Sequence, residues 1–110
     1  MWDRAAFERQ TGGDASLRDE IIQMFLEDCP VRVEEIRTAI SKGDAAALVA
    51  SAHALKGSAA YLAAQTLRAC AGDLERAGRD RNLAGAPALL AALEGAVAEL
   101  LPELRASHDE

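Results

Sequence analysis

Apolar residues recur along this chain in steps of three and four, the repeat of a helix face rather than of a strand. The longest run is Ile22, Phe25, Cys29, Val33, Ile36 and Ile40. A shorter strip beside it, Leu17, Ile21 and Met24, is placed to receive an N-terminal helix. Leu48, Leu55 and Leu62 mark a second face. Leu67, Cys70, Leu74 and Ala77 mark a third, and Leu83, Ala86, Leu90, Leu93, Val97, Leu100 and Leu104 a fourth. Polar and small residues punctuate these runs. Thr11-Gly12-Gly13 stops a short helix over about 3–10 that Asp3 would cap. Ser16 opens a helix over about 16–42, with Asp19 and Glu20 in a first turn whose dipole favours them. Lys42-Gly43-Asp44 stops that helix and caps the next, over about 44–62. Ala63-Ala64 leads into a helix over about 64–78. A turn from Gly78 to Asn82 leads into the last, over about 83–105, and residues 106–110 read as a frayed tail.

Three prolines bear on this reading. Pro30 would normally break a helix, but the apolar period continues in phase beyond it, so one kinked helix of about 25 residues is expected, with two shorter helices as the alternative. Pro87 is harmless in a first turn, whereas Pro102 is expected to distort or end the last helix. The pattern predicts an all-α fold: an antiparallel four-helix bundle with a short additional N-terminal helix, one domain over residues 1–110.

Composition agrees. Of 110 residues, 25 are Ala and 14 Leu, strong helix formers, against only 11 Val, Ile or Thr. The 18 acidic and 12 basic residues give a net charge of −6, which offers no basic field for nucleic acid or an anionic membrane. No run approaches the roughly 18 apolar residues of a membrane span. Met1-Trp2-Asp3-Arg4 lacks a basic region followed by an apolar one, so a cytoplasmic protein is expected. Cys29 and Cys70 sit in apolar patterns and are expected as buried free thiols.

Candidate chemistry lies in the helix over 44–62. Gly57 sits mid-helix, where glycine costs about 1 kcal/mol relative to alanine. His53 lies roughly 140° round the helix from Leu48, on the outer flank. Its strip holds Ala46, Ala50, Gly57 and Ala60, with Lys56 the one long polar chain beside it. A cleared, exposed imidazole suits nucleophilic chemistry near neutral pH, including acceptance of a phosphoryl group at a ring nitrogen. Lys56 would bring positive charge to the incoming oxygens, and Gly57 would leave a partner's approach open. Ser58 would donate a hydrogen bond or face its own backbone.

His53-Ala54-Leu55-Lys56-Gly57-Ser58 resembles the H-x-L-K-G-S signature of histidine-containing phosphotransfer (HPt) domains. Phe25-Leu26-Glu27-Asp28-Cys29-Pro30 resembles that family's F-L-E-D-x-P segment; Gly43-Asp44, Leu67, Cys70 and Leu74-Glu75 also fall at its spacing. Ala59 stands where the family commonly has a second serine, and Ala63 where it commonly has glycine. The resemblance implies a phosphorelay intermediate in two-component signalling. His53 would take a phosphoryl group from a receiver-domain phosphoaspartate and pass it to another receiver aspartate. The response-regulator receiver, or the receiver of a hybrid histidine kinase, would supply Mg²⁺. The domain itself would bind no cofactor, metal or ATP, would have no autonomous kinase activity, and would act as a monomer. Some relatives hold the imidazole with a glutamine where Glu75 stands; a tentative orienting role and a plain surface position both remain open for Glu75. A non-catalytic helical adaptor that binds signalling partners is the alternative reading. A metal hydrolase would need inward Glu-x-x-His pairs, which the sequence lacks.

Overall fold

The structure, a computed structural model, describes residues 2–108 and contains five helices: α1 (Arg4–Gln10), α2 (Ala15–Lys42), α3 (Ala45–Tyr61), α4 (Gln65–Arg79) and α5 (Ala86–His108). Helices α2 to α5 form the expected bundle. α3 packs between α2 and α4, and α5 closes the ring against α4 and α2. α2 has 28 residues and at ~1.5 Å per residue spans the 42 Å long axis of the molecule. The apolar strips meet in one core, with Ile22, Ile36, Leu48, Leu55, Leu67, Leu74, Leu93 and Leu104 fully enclosed. Among the described residues no helix is long and apolar enough to cross a membrane.

Acidic caps start three helices. Asp3, Asp14 and Asp44 accept from the backbone N–H of Ala6, Leu17 and Ala47 at 3.0, 3.1 and 3.0 Å. The cap of α2 is therefore Asp14 rather than Ser16, which lies inside the first turn. Four helix ends share one geometry. A residue in the left-handed region donates back three residues, and the following residue donates back five. Gly12 and Gly43 fill that position at the ends of α1 and α2. Ala63 (φ 60°) and Arg81 (φ 53°) fill it after α3 and α4, where a side chain makes the conformation costly.

Several boundaries differ from the sequence reading. Pro30 lies within a continuous α2, as the unbroken period implied. Pro102 does not end α5, which runs on to His108. Ser107, expected in a frayed tail, is completely buried; Asp109 and Glu110 lie outside the described residues. α5 begins at Ala86, so Leu83 packs on the core from the preceding turn and Pro87 occupies the first helical turn. Gly78 is not a helix stop but a buried residue within α4. A Cβ there would stand 2.7 Å from Val49 Cγ2 and 3.0 Å from the Ala45 carbonyl oxygen, so its absence lets α4 approach the start of α3.

The N-terminal segment does not lie along Leu17 and Met24, which stay exposed. Trp2 anchors it instead. The buried indole donates from Nε1 to the Leu62 carbonyl at 2.8 Å, at the end of α3, and packs against Phe7 with ring centroids 5.7 Å apart.

Candidate functional site

His53 projects from the outer face of α3 with 65% of its side chain exposed. Ala46 and Ala50, on the preceding turns, are exposed small residues, and a Cβ at Gly57 would meet nothing within 4 Å. One edge of the imidazole therefore faces open space.

The other edge is held. Nδ1 of His53 lies 3.0 Å from Oε2 of Glu75, which reaches across from α4. Among the described residues, Glu75 is the only buried carboxylate. Removing a carboxylate from water is costly unless charge compensates it. Here the compensation is double. Lys56 Nζ makes an ion pair with Glu75 Oε1 at 2.5 Å, while Arg79 places Nη2 at 2.6 Å and Nε at 3.2 Å from Oε2. These cations, with the imidazole, hold the Glu75 carboxyl at about 2, against an ordinary value of 4.5 and against the upward push of burial. An ionised carboxylate can only accept. The neutral imidazole therefore carries its proton on Nδ1, and Nε2 keeps its lone pair on the open side.

The structure thus brings His53, Lys56 and Glu75 together and leaves Gly57 at the rim. Ser58 stands apart from this cluster: its hydroxyl donates to the Ala54 carbonyl at 3.2 Å. For Glu75, geometry decides against a plain surface position. Lys56 is also not the only long polar chain near the imidazole, because Arg79 arrives from α4 on the same carboxylate. Sequence reading missed Arg79 by placing 78–82 in a turn. The i,i+4 spacing of Glu75 and Arg79 was the available signal.

Beside the histidine, α2 and α3 form a shallow groove of about 550 Å³. Met24 and Asp28 of α2 face Gly57, Ser58 and Tyr61 of α3 there. Met24 and Tyr61 are large apolar side chains that are 67% and 58% exposed. This places an apolar surface beside Gly57, one helical turn from His53.

A family model described as the Hpt domain matches residues 20–106, which include every group of this cluster. The chain belongs to the Hpt domain family. It is a phosphorelay intermediate in two-component signalling, a class of domain that interacts with receiver domains. Its fold is also similar to the crystal structure of histidine-containing phosphotransfer protein B (HptB) from Pseudomonas aeruginosa PAO1, with a TM-score of 0.92. That similarity covers 98% of this chain and 94% of the other at 24% sequence identity. Comparison with curated proteins finds no match. The Hpt match begins within α2, so α1 and its Trp2 anchor lie before it.

Proposed function

We propose that His53 is the phosphoacceptor of this Hpt domain, attacking through Nε2. The observation that carries this reading is the division of the imidazole: Nδ1 is committed to Glu75, while the side chain is 65% exposed and Gly57, one turn on, adds no side chain to obstruct the other nitrogen. In the forward step Nε2 bonds to phosphorus as the P–O bond of a receiver phosphoaspartate breaks, releasing the aspartate carboxylate. The Nδ1 proton stays against Glu75 throughout. Transfer onward is the same displacement in reverse, with a second receiver's aspartate as nucleophile. Such chemistry depends on positioning and on neutralising phosphoryl charge. Lys56 supplies positive charge from this chain, and the receiver supplies Mg²⁺. Ser58 supports the helix backbone rather than the phosphoryl group, consistent with its bond to Ala54.

The receiver docks over Ala46, Ala50 and Gly57 and onto the α2 side of the groove, with Met24 and Tyr61 as apolar contacts. The domain works as a monomer, a reading supported by the origin of every group on the imidazole in α3 and α4 of one chain. Two unpaired cysteines are consistent with the cytoplasm.

The direct test is incubation with a phosphorylated receiver and Mg²⁺, followed by measurement of acid-labile phosphate. His53→Gln should abolish labelling; undiminished labelling would refute the assignment and leave the adaptor reading. Gly57→Gln should fold normally and transfer slowly, and wild-type transfer would refute the access argument. Amide-shift mapping with a receiver should perturb α2 and α3; changes confined to α4 and α5 would reject the dock.

A further inference from the structure

Lys56 has two demands on it. Its ammonium is 2.5 Å from Glu75, yet the proposed reaction needs positive charge at the incoming phosphoryl oxygens. If Lys56 were the sole cation on Glu75, turning away would strand a buried carboxylate. Such a group either holds its counter-ion or takes up a proton. Both outcomes oppose transfer. A retained Lys56 is withheld from the phosphoryl group. A protonated Glu75 can donate to Nδ1, which favours the tautomer with its proton on Nε2 and blocks the nucleophile.

Arg79 removes this conflict. Its guanidinium puts two nitrogens on Oε2, the oxygen that also accepts from His53, while Lys56 occupies Oε1. The two cations therefore do not compete for one oxygen. The Arg79 side chain is 61% exposed, but the carboxylate that it meets is 4% exposed. The pair is consequently unlike an ordinary surface i,i+4 bridge, whose contribution is small because both partners are hydrated.

We propose that Arg79 is a positioning residue for phosphotransfer: it holds the charge of Glu75 when Lys56 turns to the phosphoryl group, and so keeps His53 protonated at Nδ1 with Nε2 free. This proposal rests on His53 as phosphoacceptor. It assigns Arg79 no contact with phosphate, so every effect of Arg79 must pass through Glu75.

The test has a spectroscopic arm and a kinetic arm. In the first, ¹⁵N spectra of the His53 ring are recorded at fixed neutral pH without phosphate or partner. Lys56→Gln should retain the Nδ1–H pattern, because Arg79 alone still neutralises Glu75. Lys56→Gln/Arg79→Gln should lose it to a mixture of tautomers. Loss in Lys56→Gln alone, or retention in the double variant, overturns the proposal. In the second arm, His53 is phosphorylated with potassium phosphoramidate, where the N–P bond to His53 forms as the reagent's P–N bond breaks and ammonia leaves. Arg79→Gln should slow this by about tenfold, equivalent to ~1.4 kcal/mol of transition-state stabilisation, and Arg79→Lys should recover most of the rate. In a Glu75→Gln background, Arg79→Gln should have no further effect. An equal slowing in that background overturns the proposal, because Arg79 would then act on phosphate or fold directly. Labelling that survives His53→Gln defeats the phosphoacceptor assignment instead, and the spectroscopic arm is independent of that outcome.

Discussion

Alanine substitution at three helical glycines should give opposite effects for a reason visible in the packing. Gly57, Gly78 and Gly95 lie within α3, α4 and α5. In an exposed helix interior, Gly→Ala stabilises by about 0.5–1 kcal/mol, since alanine loses less backbone freedom on folding. A Cβ at Gly57 or Gly95 meets nothing within 4 Å, so both variants should gain that amount. At Gly78 the new methyl would stand 2.7 Å from Val49 Cγ2, 3.0 Å from the Ala45 carbonyl oxygen and 3.3 Å from the Val49 nitrogen. A rotamer change at Val49 can relieve only the first contact; the other two atoms are backbone, so α4 must give outward by a few tenths of an ångström. Overpacking of this kind costs about 1–3 kcal/mol. Set against the helix gain, Gly78→Ala should lose about 1 kcal/mol, and so fall about 2 kcal/mol below Gly57→Ala. Urea unfolding at constant m-value measures this directly. Phosphotransfer adds a second readout. Moving α4 outward shifts Glu75 and Arg79, so Gly78→Ala should also transfer slowly, while Gly95→Ala should transfer like the parent. A Gly78→Ala protein as stable as Gly95→Ala would refute the close-approach argument.

Other expectations follow from the helix ends, the buried carboxylate and the thiols. Arg81→Gly should stabilise by about 1 kcal/mol, because it relieves a left-handed conformation at an exposed position. Ala63→Gly should gain less, since it also removes a buried methyl; unchanged unfolding midpoints for both would contradict the strain. Glu75 binds its proton more weakly when folded, near 2 against 4.5, so its contribution is complete above pH 4.5 and is lost as pH falls toward 2. The stability gap between the parent and Glu75→Gln should therefore narrow across that window, and a gap independent of pH would contradict the linkage. Burial pushes the Cys29 thiol up to about 11 and raises Cys70 as well, but Cys70 is only half-buried. A thiol reagent at pH 8 should modify Cys70 first and Cys29 only on unfolding; equal rates would count against this.

The sequence was informative wherever structure depends on one helix and its own period. The strips of α2 and α3 placed the core, and Gly12 and Gly43 marked helix ends because glycine fits the left-handed position without strain. The same end geometry at Ala63 and Arg81 was invisible, since neither residue type announces it. Gly78 misled because a glycine near a helix end reads as a stop, whereas here it answers to Val49 and Ala45 on another helix. Ser107 looked like tail for a similar reason: its burial is a tertiary fact that no local pattern encodes. The site divides along the same line. His53, Lys56 and Gly57 share α3, and their spacing drew attention to them. Arg79 belongs to the cluster only because α4 lies against α3, and Glu75 entered the reading only through family resemblance.

Only one nitrogen of His53 faces outward, because Glu75 occupies the other. On the proposed chemistry, donor and acceptor receivers therefore need the same few square ångströms and cannot form a ternary complex with this domain. Exchange must be sequential, with the charged protein diffusing alone between two encounters. Signal is then lost to hydrolysis in proportion to the waiting time, so the abundance of the second partner limits how much of it arrives.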